Sequence, residues 1–143
     1  MLALLLGLAG CVGLSSGDGA IRKVLVHYLD SEGRHATGSS LLDRDQFQRR
    51  LRDNPKQIAA VRFDIKWGGT EGNATRLRVE VRGTQTNAFL MREAPVAPAR
   101  FADSWTGIAL TPAEFRALGS IESWRVSLME GNRTLSEQAS FLW

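Results

Sequence analysis

The sequence predicts a mainly β protein: an antiparallel, immunoglobulin-like sandwich of two sheets with one or two short helices in the connections. Three observations carry this prediction. Several short segments alternate apolar and polar residues with period two, as half-buried strands do. Turn sequences rich in Gly, Asn and Asp separate these segments. Only two brief segments are predicted to be helical, and each begins with a capping box.

The composition is that of one globular domain. The chain has 143 residues, of which 43% are hydrophobic and 23% charged, which is enough to bury a core. Its 18 Lys and Arg exceed its 15 Asp and Glu by a formal charge of only +3. Acidic residues interleave with the arginines, whereas nucleic-acid-binding proteins gather basic residues on one face, so no nucleic-acid partner is expected. The single cysteine excludes an internal disulfide.

The first elements are a strand and a helix. Residues 21–29 are rich in β-branched and aromatic side chains, which predicts the first strand. Asp43 and Gln46 have the spacing of a capping box, which predicts a helix with Asp43 at its N-cap. Asn54-Pro55 should end this helix, because a residue before proline is disfavoured in the α conformation.

Two amphipathic strands follow. Residues 60–67 and 76–82 each place aliphatic and aromatic side chains on one face and charged side chains on the other. The glycine-rich connection between them predicts that the two strands pair as a hairpin. Five basic side chains would then share one surface: Arg62, Lys66, Arg76, Arg78 and Arg82. Since Asp64 and Glu80 would lie among them, a solvated sheet face is the simpler alternative to a binding surface.

The remaining strands are shorter. Residues 88–91 and 105–110 predict two of them. Residues 121–129 and 135–143 predict a final hairpin that turns at Gly131-Asn132, a favourable turn sequence.

The last part of the chain also has a recognisable order of elements. Thr111 and Glu114 form a second capping box with Pro112 at the first helical position, and Gly119 ends the helix. From residue 104 to 143 the order is strand, helical turn, strand, tight turn, strand. This order resembles the closing strands of immunoglobulin-like or fibronectin-like sandwiches, which implies the same two-sheet architecture.

The N-terminus carries an export motif. An apolar run over residues 2–7 leads to Leu8-Ala9-Gly10-Cys11 and is too short for a transmembrane helix, which needs about 20 apolar residues. This stretch resembles the bacterial lipoprotein signal. The resemblance implies that residues 1–10 are a cleaved signal peptide and that Cys11 carries lipid. It also implies an exported protein anchored at the outer membrane, on its periplasmic or surface face. Residues 11–20, rich in Gly and Ser, would tether the domain of residues 21–143.

No catalytic motif is found. The sequence lacks a P-loop, a dinucleotide-binding fingerprint and an H-E-x-x-H motif. His27, Asp30, Glu32 and His35 lie within nine residues, but they lack the regular spacing of zinc ligands. The sequence therefore predicts neither enzyme activity nor a metal or cofactor.

The aromatic residues fall into two groups. Trp67, Trp124 and Trp143 are in phase with aliphatic residues of their strands and are expected to be buried. Phe101 and Trp105 lie in less regular sequence and are candidates for an exposed ligand platform.

Together these observations predict a non-catalytic, lipid-anchored cell-envelope protein. It would act as a binding or structural module for another envelope component, such as a protein, and the lipid on Cys11 would hold it at the membrane. The alternative is a carbohydrate- or peptidoglycan-binding module that uses its exposed aromatic side chains.

Overall fold

The computed structural model describes residues 19–143, which form seven strands and two α-helices. The strands are β1 (Ala20–Leu29), β2 (Ala60–Gly68), β3 (Thr75–Gly83), β4 (Leu90–Pro95), β5 (Ser104–Ala109), β6 (Ile121–Glu130) and β7 (Arg133–Ala139). The helices are α1 (Leu41–Asp53), followed by a 3₁₀ turn at Pro55–Gln57, and α2 (Pro112–Leu118). The lipoprotein motif and most of the predicted tether lie outside the described residues.

The strands form two antiparallel sheets, which confirms the predicted sandwich. One sheet has three strands in the order β1-β2-β5, and the other has four in the order β4-β3-β6-β7. The fourth strand pairs with the third, whereas in an antibody constant domain it lies in the sheet of the fifth. α1 connects β1 to β2 and α2 connects β5 to β6, so each helix lies in a connection, as predicted.

The core lies between the two sheets. Its central side chains alternate along β2, β3 and β6, and each is at most 1% exposed: Val61, Phe63, Ile65, Trp67, Leu77, Val79, Val81, Val126 and Leu128. Burying one such side chain contributes about 1.5 to 3 kcal/mol before chain entropy is subtracted. The period-two pattern of the sequence therefore identified the inward faces correctly.

The predicted hairpin of β2 and β3 is wrong. β2 pairs with β1 and β5, while β3 pairs with β4 and β6, so residues 69–74 cross from one sheet to the other. Both strands have one apolar face, and in a sandwich these faces are buried against each other instead of lying side by side. The same alternation is compatible with both arrangements, so only the packing of the whole domain distinguishes them.

The first helix begins earlier than predicted. Ser40 is its N-cap: the Ser40 Oγ accepts a hydrogen bond from the Asp43 backbone nitrogen at 3.0 Å, and the Asp43 carboxylate accepts one from the Ser40 nitrogen. The prediction of Asp43 as the N-cap is therefore wrong, since Asp43 is the third helical residue of this capping box. Ser40 and Asp43 have the same spacing as Asp43 and Gln46, so a start three residues earlier turns Asp43 from the N-cap into the third helical residue. The helix ends at Asn54, before Pro55, as predicted.

One buried side chain attaches α1 to the sheet. The Gln48 amide accepts a hydrogen bond from the Tyr28 nitrogen at 2.8 Å and donates to the Tyr28 oxygen at 2.9 Å. It also donates to the His35 carbonyl at 2.9 Å. Gln48 thus occupies backbone groups on the edge of β1 and fixes the loop that carries His35.

The C-terminal elements are as predicted except at their end. Thr111 and Glu114 form the expected capping box and Gly119, with φ of +77°, ends α2. β6 and β7 form the expected hairpin. β7 stops at Ala139, however, and Trp143 lies beyond it. The prediction that Trp143 continues this strand into the core is wrong, because residues 140–143 turn back on themselves through a hydrogen bond from the Trp143 nitrogen to the Ser140 oxygen.

The sandwich has two distinct ends. We call the end at which β1 begins the Ala20 end; it contains the connections 69–74, 96–103 and 131–132. We call the opposite end the Leu29 end; it contains both helices and the loop 84–89.

Candidate binding surfaces

The five basic residues predicted to share one surface are divided between two. Arg62 and Lys66 lie on the outer face of the three-stranded sheet. Arg76, Arg78 and Arg82 lie on the outer face of the four-stranded sheet, on the far side of the core. The expectation of a single basic face is therefore wrong, and the physical reason is the crossing of residues 69–74 between the sheets.

Carboxylates accompany the arginines on the four-stranded sheet. The Glu93 Oε1 lies 2.7 Å from the Arg78 Nε and 3.2 Å from the Arg76 Nε. The hydrogen bond from Arg78 is the main cause that holds the pKa of the Glu93 carboxyl below its usual value. On the neighbouring strand the Arg125 Nε donates to the buried Glu80 carboxylate at 2.7 Å. This part of the face is therefore compensated in charge.

Trp143 covers Arg82, the third of the predicted basic residues on this face. The guanidinium carbon of Arg82 lies 4.5 Å from the centroid of the Trp143 ring, and that of Arg125 lies 4.9 Å from it. Phe89 contacts the same ring edge-on. These are cation–π and aromatic contacts within the domain, so Arg82 already has a partner in the chain.

The three-stranded sheet carries a polar cluster on its outer face. The His27 Nδ1 and the Asp64 Oδ2 are 2.6 Å apart, between the neighbouring strands β1 and β2. The Arg62 guanidinium donates to both oxygens of Asp64, from its Nε to Oδ1 at 2.9 Å and from its Nη2 to Oδ2 at 3.0 Å. The His35 ring lies 4.9 Å from the His27 ring, and its Nδ1 is 3.3 Å from the Arg62 Nη2.

Two pKa shifts describe this cluster. Burial opposes the charged form of Asp64, but hydrogen bonds from His27 and Arg62 outweigh it and hold the pKa of the carboxyl below its usual value. Burial lowers the pKa of His35, and the positive charge of Arg62 acts in the same direction. The cluster therefore favours an ionised Asp64 beside a neutral His35 near pH 7.

The sequence grouped these histidines with the wrong acids. The Asp30 carboxylate accepts hydrogen bonds from the backbone of Glu32 and Arg34 and from the Arg34 side chain, all at 2.9 Å, within its own turn. Glu32 also pairs with Arg34. Asp64, more than 30 residues from His27 in sequence, is the acid that reaches the histidine, and only the pairing of β1 with β2 brings it there.

The two exposed aromatic candidates lie at the Ala20 end. Phe101 is 98% exposed in the connection to β5, and Trp105 is 52% exposed on the outer sheet face. Trp105 lies directly opposite Lys66 of β2, and Lys66 lies opposite Lys23 of β1. The end of the three-stranded sheet therefore presents one aromatic and two basic side chains in a row across its three strands.

A shallow cavity of about 320 Å³ adjoins Phe101. Arg22, Arg100 and Asp103 are among the side chains that line it. The Asp103 carboxylate is shared, since its Oδ1 is 3.4 Å from the Arg22 Nε and its Oδ2 is 3.5 Å from the Lys66 Nζ. The cavity thus combines an exposed ring with hydrogen-bonding groups of both charges.

The Leu29 end carries a larger groove that sequence reasoning missed. Its volume is about 530 Å³, and its cationic side chains come from α1, the 3₁₀ turn and α2: Arg52, Lys56 and Arg116. Arg52 and Arg116 are 64 positions apart in the sequence, and none of the three residues belongs to a motif. Only the packing of the two helices at the same end of the sandwich brings them together.

The comparisons with known proteins leave the family open. The sequence matches no protein-family model, and it matches no curated protein. Within residues 19–143, no helix is long and apolar enough to cross a membrane. The same part of the chain contains no group of three or more His, Cys, Asp and Glu side chains that could hold a metal ion.

Proposed function

We propose that this chain is a lipid-anchored, non-catalytic cell-envelope protein that binds another envelope component close to the membrane. One observation carries the proposal: Phe101 and Trp105 are exposed at the Ala20 end, which is the end joined to the predicted anchor. Large exposed aromatic side chains in a domain of this size favour an interaction surface.

The length of the tether limits where the partner can lie. Residues 11–19 span at most about 30 Å when fully extended, at about 3.3 to 3.6 Å per residue. With lipid on Cys11, the Ala20 end stays within that distance of the membrane surface. The exposed aromatic side chains would then face the membrane-proximal part of the envelope.

The contacts of the histidine cluster support a non-catalytic role. His27 is 7% exposed and its hydrogen bond goes to Asp64, which Arg62 also holds. Within the described residues, no hydroxyl or lysine side chain hydrogen-bonds to His27 or His35. A nucleophile next to its base is the arrangement that covalent catalysis requires.

The anchor is tested by metabolic labelling with radioactive palmitate and by membrane fractionation of cells. We expect the wild type to be labelled and membrane-bound, and the Cys11→Ser variant to be unlabelled. Ser15→Ala, a matched change four residues further on, should behave as wild type. Labelling of the Cys11→Ser variant at the wild-type level would refute the anchor.

The contact surface is tested by photocrosslinking in intact cells. A benzophenone amino acid replaces Phe101 in one variant and Phe141 in another; Phe141 is 100% exposed but lies at the Leu29 end. We expect position 101 to give a defined protein adduct and position 141 to give none. Equal adduct patterns at the two positions would contradict a specific surface at the Ala20 end.

A second candidate function is the binding of glycan or peptidoglycan. The cavity next to Phe101 favours it, because an exposed ring beside Arg22, Arg100 and Asp103 offers both stacking and hydrogen bonds to a sugar. A glycan adduct in place of a protein adduct at position 101 would favour this function. Retention of the protein on purified peptidoglycan, lost in Phe101→Ser but not in Phe141→Ser, would support it independently.

A further inference from the structure

The groove at the Leu29 end has the features of a preformed ligand site. Its volume of about 530 Å³ falls within the range of small-molecule pockets. One wall is held by backbone hydrogen bonds between the loop after β3 and the end of α2, from Gln85 N to the Leu118 oxygen at 2.9 Å and from Thr84 N to the Ser120 oxygen at 3.0 Å. A Cβ at Gly119 would lie 2.5 Å from the Gln85 side chain and 2.6 Å from that of Thr84, so the two segments touch there. The wall is therefore fixed before any ligand arrives.

The charge of the groove is positive and uncompensated. Arg52, Lys56 and Arg116 line it, and no Asp or Glu does. None of the three cations takes part in an ion pair within the described residues, whereas Arg76, Arg78 and Arg125 on the four-stranded sheet all contact carboxylates. The groove thus gathers three unpaired cations in one place.

The floor of the groove is partly apolar. Tyr28 and Phe115 line it and contact each other edge-on, with ring centroids 6.4 Å apart. Ile58 and Ile121 add aliphatic surface, and Ser120 adds a hydroxyl. A fitting ligand therefore combines an anionic group with a ring or another apolar part.

We propose that this groove binds a small organic anion that carries a phosphate or carboxylate group next to an apolar or aromatic part. The site goes beyond the proposed function, since it lies at the opposite end of the sandwich from Phe101 and needs no lipid on Cys11. Arg52 and Arg116 hold the anionic group through charge-assisted hydrogen bonds. The rings of Tyr28 and Phe115 contact the apolar part.

The proposal is tested on the full-length protein in a non-ionic detergent with four probes: phenyl phosphate, benzoate, benzyl alcohol and inorganic phosphate. We expect phenyl phosphate or benzoate to bind saturably and to shift the NMR amide signals of Gln85, Gly119 and Ser120. The tighter of these two probes identifies the anionic group. Benzyl alcohol lacks the charge and inorganic phosphate lacks the ring, so both should bind at least about tenfold more weakly, a difference of about 1.4 kcal/mol.

Matched double variants separate a specific site from general electrostatics. Arg52→Gln with Arg116→Gln removes two charges from the groove and should weaken binding about tenfold or more. Lys23→Gln with Arg49→Gln removes the same charge from exposed positions outside the groove and should leave the dissociation constant within about twofold. The single variant Lys56→Gln provides a further, milder change in the same groove.

Three results would overturn the proposal: no saturable binding of either organic anion, equal weakening in the two double variants, or signal shifts confined to residues outside the groove. Because the measurement uses purified protein, loss of palmitate labelling or of crosslinking at position 101 has no bearing on it. Failure of the proposed function and failure of this site are therefore distinguishable.

Discussion

Replacing Asp64 with asparagine should destabilise the domain more than a matched change at an exposed acid. Asp64 accepts hydrogen bonds from His27 at 2.6 Å and from Arg62 at 2.9 and 3.0 Å. The asparagine side chain retains one acceptor oxygen but carries no charge, and its amide group turns a donor towards one of these partners. The buried His27 and the guanidinium of Arg62 would then lose their common acceptor.

The size of the effect follows from the burial of the pair. Leaving a buried partner unsatisfied costs about 1 to 3 kcal/mol, and breaking a fully buried ion pair costs about 3 to 5 kcal/mol. The Asp64 side chain is 20% exposed and that of His27 is 8% exposed, which places this pair in the lower range. We expect the free energy of unfolding to fall by about 2 kcal/mol.

Urea unfolding followed by tryptophan fluorescence measures this change. Trp67, which is 1% exposed, reports the opening of the core. The control is Asp45→Asn: the Asp45 side chain is 68% exposed and pairs with Arg44, so its loss should cost less than about 1 kcal/mol. The m-value should stay constant in both variants, since neither changes the surface exposed on unfolding.

The pH dependence of the free energy of unfolding tests the same prediction in a second way. The pKa of Asp64 is lowered in the folded state, so its stabilisation is present above the ordinary value of 3.8 and is lost as the pH falls through the folded value. The difference between wild type and Asp64→Asn should therefore shrink in acid. Equal urea midpoints for Asp64→Asn and Asp45→Asn at pH 7, or a difference that stays constant down to low pH, would refute the reasoning.

Three further predictions concern the core, a helix cap and the second histidine. Phe63 is fully buried, so Phe63→Ala should lower the free energy of unfolding, measured in urea, by about 3 to 5 kcal/mol. Phe141→Ala, at a fully exposed position, should change it by no more than about 0.5 kcal/mol. Similar changes in the two variants would mean that Phe63 is not central to the core. Thr111 caps α2 by accepting a hydrogen bond from the backbone of the third helical residue, so Thr111→Ala should lower the free energy of unfolding by about 1 kcal/mol. An unchanged urea midpoint would count against this cap. Burial, and then the charge of Arg62, lower the pKa of His35, so the unfolded chain takes up a proton at His35 at a higher pH than the folded chain does. The free energy of unfolding should fall as the pH drops below about 6.5, less steeply in His35→Gln than in wild type, and parallel curves would contradict the shift.

Much of the secondary structure follows from local patterns. The alternation along β2 and β3 identified the buried faces, including Phe63 and Val79, because a strand exposes every second side chain to the same side. Thr111 and Gly119 marked both ends of α2, since capping depends on residues within one turn. The N-cap of α1 was misplaced because two capping boxes overlap in the sequence and local rules do not rank them.

The candidate surfaces were less predictable. The structure places both Phe101 and Trp105 on the surface, as expected, but Trp105 is exposed because it lies on the outer face of β5. The single basic face was predicted wrongly, because it required β2 to pair with β3, and the two strands lie in different sheets. The groove with Arg52 and Arg116 left no signal in the sequence at all.

By itself, the sequence determined the fold class and the inward faces of the strands, and it predicts lipid attachment at Cys11. Each of these depends on residues close together in the chain. The tertiary structure alone decided which sheet each strand joins, that Asp64 is the partner of His27, and that Arg52, Lys56 and Arg116 meet at one end. These features depend on contacts between residues far apart in sequence. The free energy that selects such contacts comes from burying the apolar faces of the two sheets together, which no single segment of the chain can do.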